Sequence, residues 1–157
     1  MKRKAGMMVA GLAATGLAIL GTTPASAEPV RGFNIKNVET GKCLVFNGVG
    51  HPVTAAACNI NVPQQRWANY NNGVISAAGS ASMGPYLLAK KGGGGDVYVN
   101  VSGFPGWSDA WSVSSFHDRE KAMYGNITAG CYLKMSGGGV VCTPGRNSQS
   151  WWMAVYG

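Results

Sequence analysis

Asp96, Tyr98 and Asn100 alternate with Val97, Val99 and Val101 in the middle of the chain. Successive side chains of an extended strand point to opposite faces, so the three polar residues share one face. A carboxylate, an aromatic ring and an amide on one face suit contact with the hydroxyls and the apolar face of a sugar. The same residues also suit structural work. Asp96 can cap the turn made by Gly92 to Gly95, and Tyr98 can pack half-buried on its strand.

The densest polar stretch is Phe116-His117-Asp118-Arg119-Glu120-Lys121. It places a histidine beside carboxylates, the ingredients of acid–base chemistry, but charges adjacent in sequence need not converge, and the stretch reads as a solvated loop. No nucleophile elbow is present. The glycines from Gly92 to Gly95 are not followed by Gly-Lys-Ser/Thr and a helix, so they make a hairpin turn and not a phosphate cradle. No catalytic residue and no cofactor is implied.

Lys2-Arg3-Lys4 precedes an uncharged apolar stretch from Ala5 to Gly21, and Ala25-Ser26-Ala27 supplies the small residues of a cleavage site. This is a signal peptide over residues 1–27, too short and too rich in Gly and Ala for a membrane anchor. The mature chain then starts at Glu28 and is extracellular. Of 13 basic residues three leave with the leader; ten remain against six acids, and the formal charge falls from +7 to +4. The bases are dispersed, which excludes the clustered footprint of a nucleic-acid binder. Disorder is excluded by 46% apolar residues and five Trp, and long helices by 24 Gly.

Export makes disulfides the default state of Cys43, Cys58, Cys131 and Cys142. Four cysteines allow three pairings. The local one, Cys43–Cys58 with Cys131–Cys142, closes loops of roughly 12–16 residues, each worth about 3 kcal/mol. A zinc site lacks any Cys-x-x-Cys, and only His51 and His117 are at hand, so no metal is expected.

The elements come from an internal repeat. Gln65-Arg66-Trp67 and Gln149-Ser150-Trp151 are two copies of Gln-x-Trp, with Cys58 and Cys142 each nine residues before the Trp. Lys42-Cys43-Leu44 matches Gly130-Cys131-Tyr132. Asp109-Ala110-Trp111 is a degenerate copy whose upstream Tyr86 replaces the cysteine. Trp67, Trp111 and Trp151 are 44 and 40 residues apart, giving three units over about 31–71, 72–115 and 124–156. Period-2 runs separated by Gly, Asn and Ser indicate an all-β barrel or sandwich. Four strands per unit make about twelve, packed around a common axis with one Trp of each unit in the shared core.

Three units ending in Gln-x-Trp, with a cysteine–leucine start, resemble the ricin-type β-trefoil lectin domain, over residues 28–157 and most closely from Arg31 to Tyr156. The resemblance implies a pseudo-threefold β-trefoil, a disulfide internal to each outer unit, and a secreted, non-catalytic carbohydrate-binding module acting as a monomer without membrane insertion. It also implies that Gln65, Trp67, Trp111, Gln149 and Trp151 are structural. In that family an Asp two positions after the first cysteine holds the sugar, and an aromatic ring before the second cysteine stacks on it. Here the Asp positions are Val45, Leu88 and Leu133, and the outer stacking positions are Ala56 and Val140. The family's sites are therefore degenerate, and Asp96, Tyr98 and Asn100 are the remaining sugar-contacting set.

The alternative is a trefoil that binds a protein partner, such as a secreted protease inhibitor, presenting Lys90-Lys91 or Arg119 to a basic-preferring pocket. Asn100-Val101-Ser102 and Asn126-Ile127-Thr128 fit the glycosylation tripeptide, but the leader is of bacterial type, and the sites are expected to be unused. Trp107 lies outside the repeat, in the turn Phe104-Pro105-Gly106-Trp107, which suits either an exposed contact surface or packing beneath the barrel.

Overall fold

Short alternating runs become strands because only one face of each meets the core. The computed structural model describes residues 32–70, 73–77 and 84–157; residues 1–31, with the expected leader, and residues 71–72 and 78–83 lie outside the described residues. The first unit supplies β1 (Phe33–Asn37), β2 (Lys42–Val45), β3 (Thr54–Ala57) and β4 (Trp67–Tyr70). The second supplies β5 (Val74–Ala77), β6 (Tyr86–Lys90), β7 (Tyr98–Asn100), β8 (Trp107–Ser108) and β9 (Trp111–Val113). The third supplies β10 (Lys121–Asn126), β11 (Cys131–Ser136), β12 (Gly139–Thr143) and β13 (Trp151–Tyr156). The strand beyond the expected twelve is the two-residue β8, which carries Trp107 and pairs with β6. The other regular elements among the described residues are two 3-10 turns, Pro63–Gln65 and Ser148–Ser150. No helix among them is long and apolar enough to cross a membrane.

The strands run in hydrogen-bonded order β9, β10, β13, β1, β4, β5 around a barrel, and the hairpins β2–β3, β6–β7 and β11–β12 close one end of it. Three hydrogen bonds display the pseudo-threefold symmetry. Trp67 Nε1 donates to Leu44 O (3.3 Å), Trp111 Nε1 to Leu87 O (2.9 Å) and Trp152 Nε1 to Leu133 O (2.9 Å). The hairpins meet near the axis through Val53, Val97 and Val140, all buried, and Val53 N donates to Val97 O at 2.7 Å.

These bonds correct the third repeat by one residue. Trp152 is wholly buried, whereas Trp151 is 38% exposed. Strand β13 alternates, and Trp152 and Ala154 face inward opposite the buried Asn37 and Ile35. Buried Ser150, not Gln149, then occupies the place of Gln65. Gln65 bridges backbone, with Nε2 donating to Ala57 O and Oε1 accepting from Asn59 N. Ser150 instead exchanges hydrogen bonds with Asn147. Counting from the cysteines misplaced the motif because the disulfides sit differently against the Trp-bound leucines. Cys43 immediately precedes Leu44, while Cys131 is two residues before Leu133. By the same register the third family Asp position is Lys134, not Leu133.

The disulfides are Cys43–Cys58 and Cys131–Cys142, with Cα atoms 5.0 and 5.3 Å apart. Cys131 and Cys142 are both buried in the core, whereas in the first bridge Cys43 is buried and Cys58 exposed. Loop closure alone gives each about 3 kcal/mol. Replacing Cys131 and Cys142 by alanine adds the loss of buried sulfur volume. That double variant is expected to lose about 4–5 kcal/mol in urea unfolding, against about 3 kcal/mol for Cys43 and Cys58. Equal losses would show that core burial of the second bridge adds nothing.

Tyr124 lies in an aromatic cluster, edge-on to Phe116 at 5.8 Å, with Phe33 and Tyr156 beyond. Its hydroxyl is buried and has no hydrogen-bond partner among the described residues. Burial, reinforced by Tyr156, pushes this phenol far above its ordinary value; burial and then the charge of Asp118 raise Tyr156 in the same direction. A folded-state pKa above the unfolded one makes stability fully present below pH about 10 and lost as pH climbs beyond it. Tyr124→Phe removes an unsatisfied hydroxyl. It is expected to leave stability unchanged at pH 7 or raise it by about 1 kcal/mol, and to flatten the alkaline loss. An alkaline midpoint that does not move in Tyr124→Phe would assign the loss elsewhere.

Candidate functional site

The middle hairpin brings a polar and aromatic face together. In β6 and β7, Tyr86 lies opposite Asn100, Leu87 opposite Val99 and Leu88 opposite Tyr98. Val97, Leu87 and Val99 are fully buried, so Tyr98 and Asn100 lie on the other face, as the alternation implies. On β8, Trp107 lies opposite Lys90. Directly paired residues share a face, so Tyr86, Leu88 and Lys90 line up beside Asn100, Tyr98 and Trp107.

Tyr98 and Trp107 are half-buried, and their rings meet edge-on with centroids 4.9 Å apart. Leu88 is 1% exposed yet stands outside the main core cluster, on the same face as these two rings. The loop that delivers Trp107 is tied by Lys91 N to Gly106 O, Trp107 N to Phe104 O, and Ser102 Oγ to Asp109 Oδ2 (2.6 Å). The sequence set Trp107 aside because it falls outside the repeat. The signal for its placement was the Pro-Gly turn just before it, which starts an extra strand.

Asp96 lies before β7, exposed and bridged through its backbone to Val141. Its carboxylate makes no hydrogen bond or ion pair among the described residues, so it does not cap the preceding glycine turn through its side chain. Asn100 Oδ1 accepts from Val101 N at 2.9 Å, leaving its amide N–H groups outward.

The three positions where the resemblance leads to the expectation of an Asp hold, in the corrected register, Val45, Leu88 and Lys134. Lys134 is 8% exposed, and its ammonium donates to Pro144 O (3.3 Å) and Gly145 O (3.0 Å). An ammonium committed to two carbonyls cannot substitute for a hydroxyl-accepting carboxylate.

The polar stretch 116–121 fastens a loop and does not assemble an acid–base pair. Asp118 Oδ1 accepts from Tyr156 N (3.0 Å), Glu120 Oε2 from Ser115 Oγ (2.6 Å), and the exposed Arg119 pairs with Asp118 at 3.6 Å. His117 is exposed, and among the described residues it is engaged only through its backbone, its N–H donating to Ser115 Oγ and its carbonyl accepting from Glu120 N. Among the described residues no group of three His, Cys, Asp or Glu could hold a metal ion.

Two grooves border the third unit, one shared with the second unit and one with the first. One, of about 500 Å³, is lined by Ser112, Met123, Ile127, Tyr132 and Arg146, with the Arg146 guanidinium 5.6 Å above the Tyr132 ring. The other, of about 590 Å³, is lined by Val38, Glu39, Lys121, Ser148 and Trp151. Neither contains Asp96, Tyr98 or Asn100.

This architecture is a β-trefoil. The chain is similar to a ricin B-like lectin of Macrolepiota procera solved with lactose, at 14% identity over 84% of this chain and 99% of that one, with a TM-score of 0.62. It is similar to ThreeFoil, a designed threefold-symmetric protein, at 16% identity over 79% and 97% with a TM-score of 0.62. It is also similar to SeviL, solved bound to the asialo-GM1 saccharide, at 16% identity over 78% and 94% with a TM-score of 0.56. No protein-family model and no curated protein sequence matches the chain.

Proposed function

We propose that the chain is a secreted, non-catalytic carbohydrate-binding module whose contact face lies in the middle unit. The observation that carries this reading is the Tyr98–Trp107 pair, two half-exposed rings in edge contact at 4.9 Å. Each ring offers an apolar surface to the C–H face of a pyranose, and the Asn100 amide and the Asp96 carboxylate border them with free donors and acceptors. The leader and two disulfides support export to an oxidising compartment. Two proteins of similar fold were solved with lactose and with asialo-GM1 saccharide, which supports the ligand class. Because the family Asp positions hold Val45, Leu88 and Lys134, sugar selection here rests on other residues than the family's.

The test is retention on immobilised glycans. Tyr98→Ala combined with Trp107→Ala is expected to weaken retention at least tenfold, the equivalent of about 1.4 kcal/mol. Asp96→Ala should reduce it while leaving stability within about 0.5 kcal/mol, since the carboxylate holds no partner. A large fall in melting temperature for Asp96→Ala would make that residue structural.

A specific observation favours a second reading as a protease inhibitor. Arg119 projects from a loop pinned at Arg119 N to Ala154 O (2.7 Å) and at Tyr156 to both Asp118 and Phe116, with φ of 58°. A rigid loop presenting one exposed arginine suits an inhibitor. Trypsin-like activity unchanged by a molar excess of the protein would exclude it.

A further inference from the structure

Trp151 stands beside Trp152 in β13, and strand alternation sends one ring into the core and the other outward. Its backbone is held firmly: the carbonyl accepts from Val38 N at 2.9 Å and from Asn37 Nδ2 at 3.2 Å. The outward indole faces a groove with Val38, Glu39, Lys121 and Ser148. At about 590 Å³ the groove falls within the range of roughly 300–1,000 Å³ usual for small-molecule sites.

One exposed aromatic residue is ordinary on a protein surface. What distinguishes Trp151 is the chemistry around it. Glu39 and Lys121 line the same groove with opposite charges, yet they form no ion pair with each other, and neither they nor Ser148 hydrogen-bond through their side chains to any described residue. The groove therefore combines an apolar ring with a free acceptor and two free donors.

We propose that this groove is a carbohydrate subsite built between the first and third units. The Trp151 indole stacks on the apolar face of a pyranose. Glu39 accepts hydrogen bonds from a pair of its hydroxyls, while Lys121 and Ser148 donate to oxygens on the other edge. The subsite shares no residue with the Tyr98–Trp107 face. It rests on the reading that the chain binds carbohydrate, and its failure can be told apart from the failure of that reading.

The experiment is depletion of the oxidised chain from Glu28 onward on insoluble chitin, cellulose, xylan and peptidoglycan. The wild type, Trp151→Ala and the Tyr98→Ala/Trp107→Ala double variant are compared. Trp151→Ala is expected to weaken binding to the retaining glycan at least tenfold with the melting temperature lowered by no more than about 5 °C, and Glu39→Gln to weaken it several-fold. In a Trp107→Phe background, a soluble fragment of that glycan should protect Trp151 fluorescence from acrylamide quenching. Retention that survives Trp151→Ala but not the double variant would overturn the subsite and leave the general reading standing. Loss in Trp151→Ala alone would support the subsite and move the contact face away from the middle unit. No retention of the wild type by any of the four glycans would overturn both.

Discussion

Trp152→Ala is expected to destabilise the fold by about 3–5 kcal/mol, the usual cost of truncating a fully buried tryptophan. The neighbouring Trp151→Ala should cost much less, about 1 kcal/mol, because its side chain is 38% exposed and lies outside the buried core. The contrast follows from a single hydrogen bond and a single strand. Trp152 donates from Nε1 to Leu133 O and is 0% exposed, repeating what Trp67 and Trp111 do in the other units. Truncation opens a cavity in the buried core and removes the donor to the carbonyl of Leu133, itself buried. Chemical denaturation of the two variants side by side reads the difference. Equal costs, or a larger one for Trp151, would restore the Gln149-Ser150-Trp151 register.

Gly73→Ala carries the second large effect, about 3–5 kcal/mol. Gly73 has φ of +73°, a region that a residue with a Cβ enters at a cost of about 1–2 kcal/mol. A Cβ placed there would also overlap the carbonyl oxygen of Trp111, and backbone cannot move aside as a flexible side chain can. Overpacking of this kind costs typically about 1–3 kcal/mol or more. The close approach brings the start of β5 alongside β9, so the substitution should separate the beginning of the second unit from its end. Gly32 repeats the arrangement against the Trp67 carbonyl, with φ of +105°. A thermal midpoint for Gly73→Ala within 2 °C of wild type, less than the shift a single kcal/mol produces in a domain of this size, would contradict this account of closure.

Much of the architecture was legible because the trefoil writes itself three times. The spacing of Trp67, Trp111 and the final Trp pair, with the alternation around Phe33 to Val38 and Val97 to Val101, is a direct imprint of strands that bury one face. The error of one residue at Trp151 has an equally physical source. Two adjacent tryptophans leave the inward one undecided until the strand's partners are known, and the cysteines used as a ruler are not at equivalent places in the two outer units. The register of a strand is set by which face is buried, and here opposing Asn37 and Ile35 set it.

The site was less legible. The alternation that unites Tyr98 and Asn100 could be read directly, but the arrival of Trp107 depends on β8, a two-residue strand with no periodicity to detect. The Trp151 groove joins Glu39 and Lys121 from distant parts of the chain. Nothing local in the sequence brings them together; the pairing of β1 and β10 with β13 does.

Retention of the oxidised, leader-free protein on a glycan array and on insoluble polysaccharides tests the central claim most directly. The account predicts binding to one glycan class, competed by the free sugar and weakened at least tenfold by Tyr98→Ala with Trp107→Ala or by Trp151→Ala. A correctly disulfide-bonded protein that binds no glycan at millimolar sugar concentrations would contradict it.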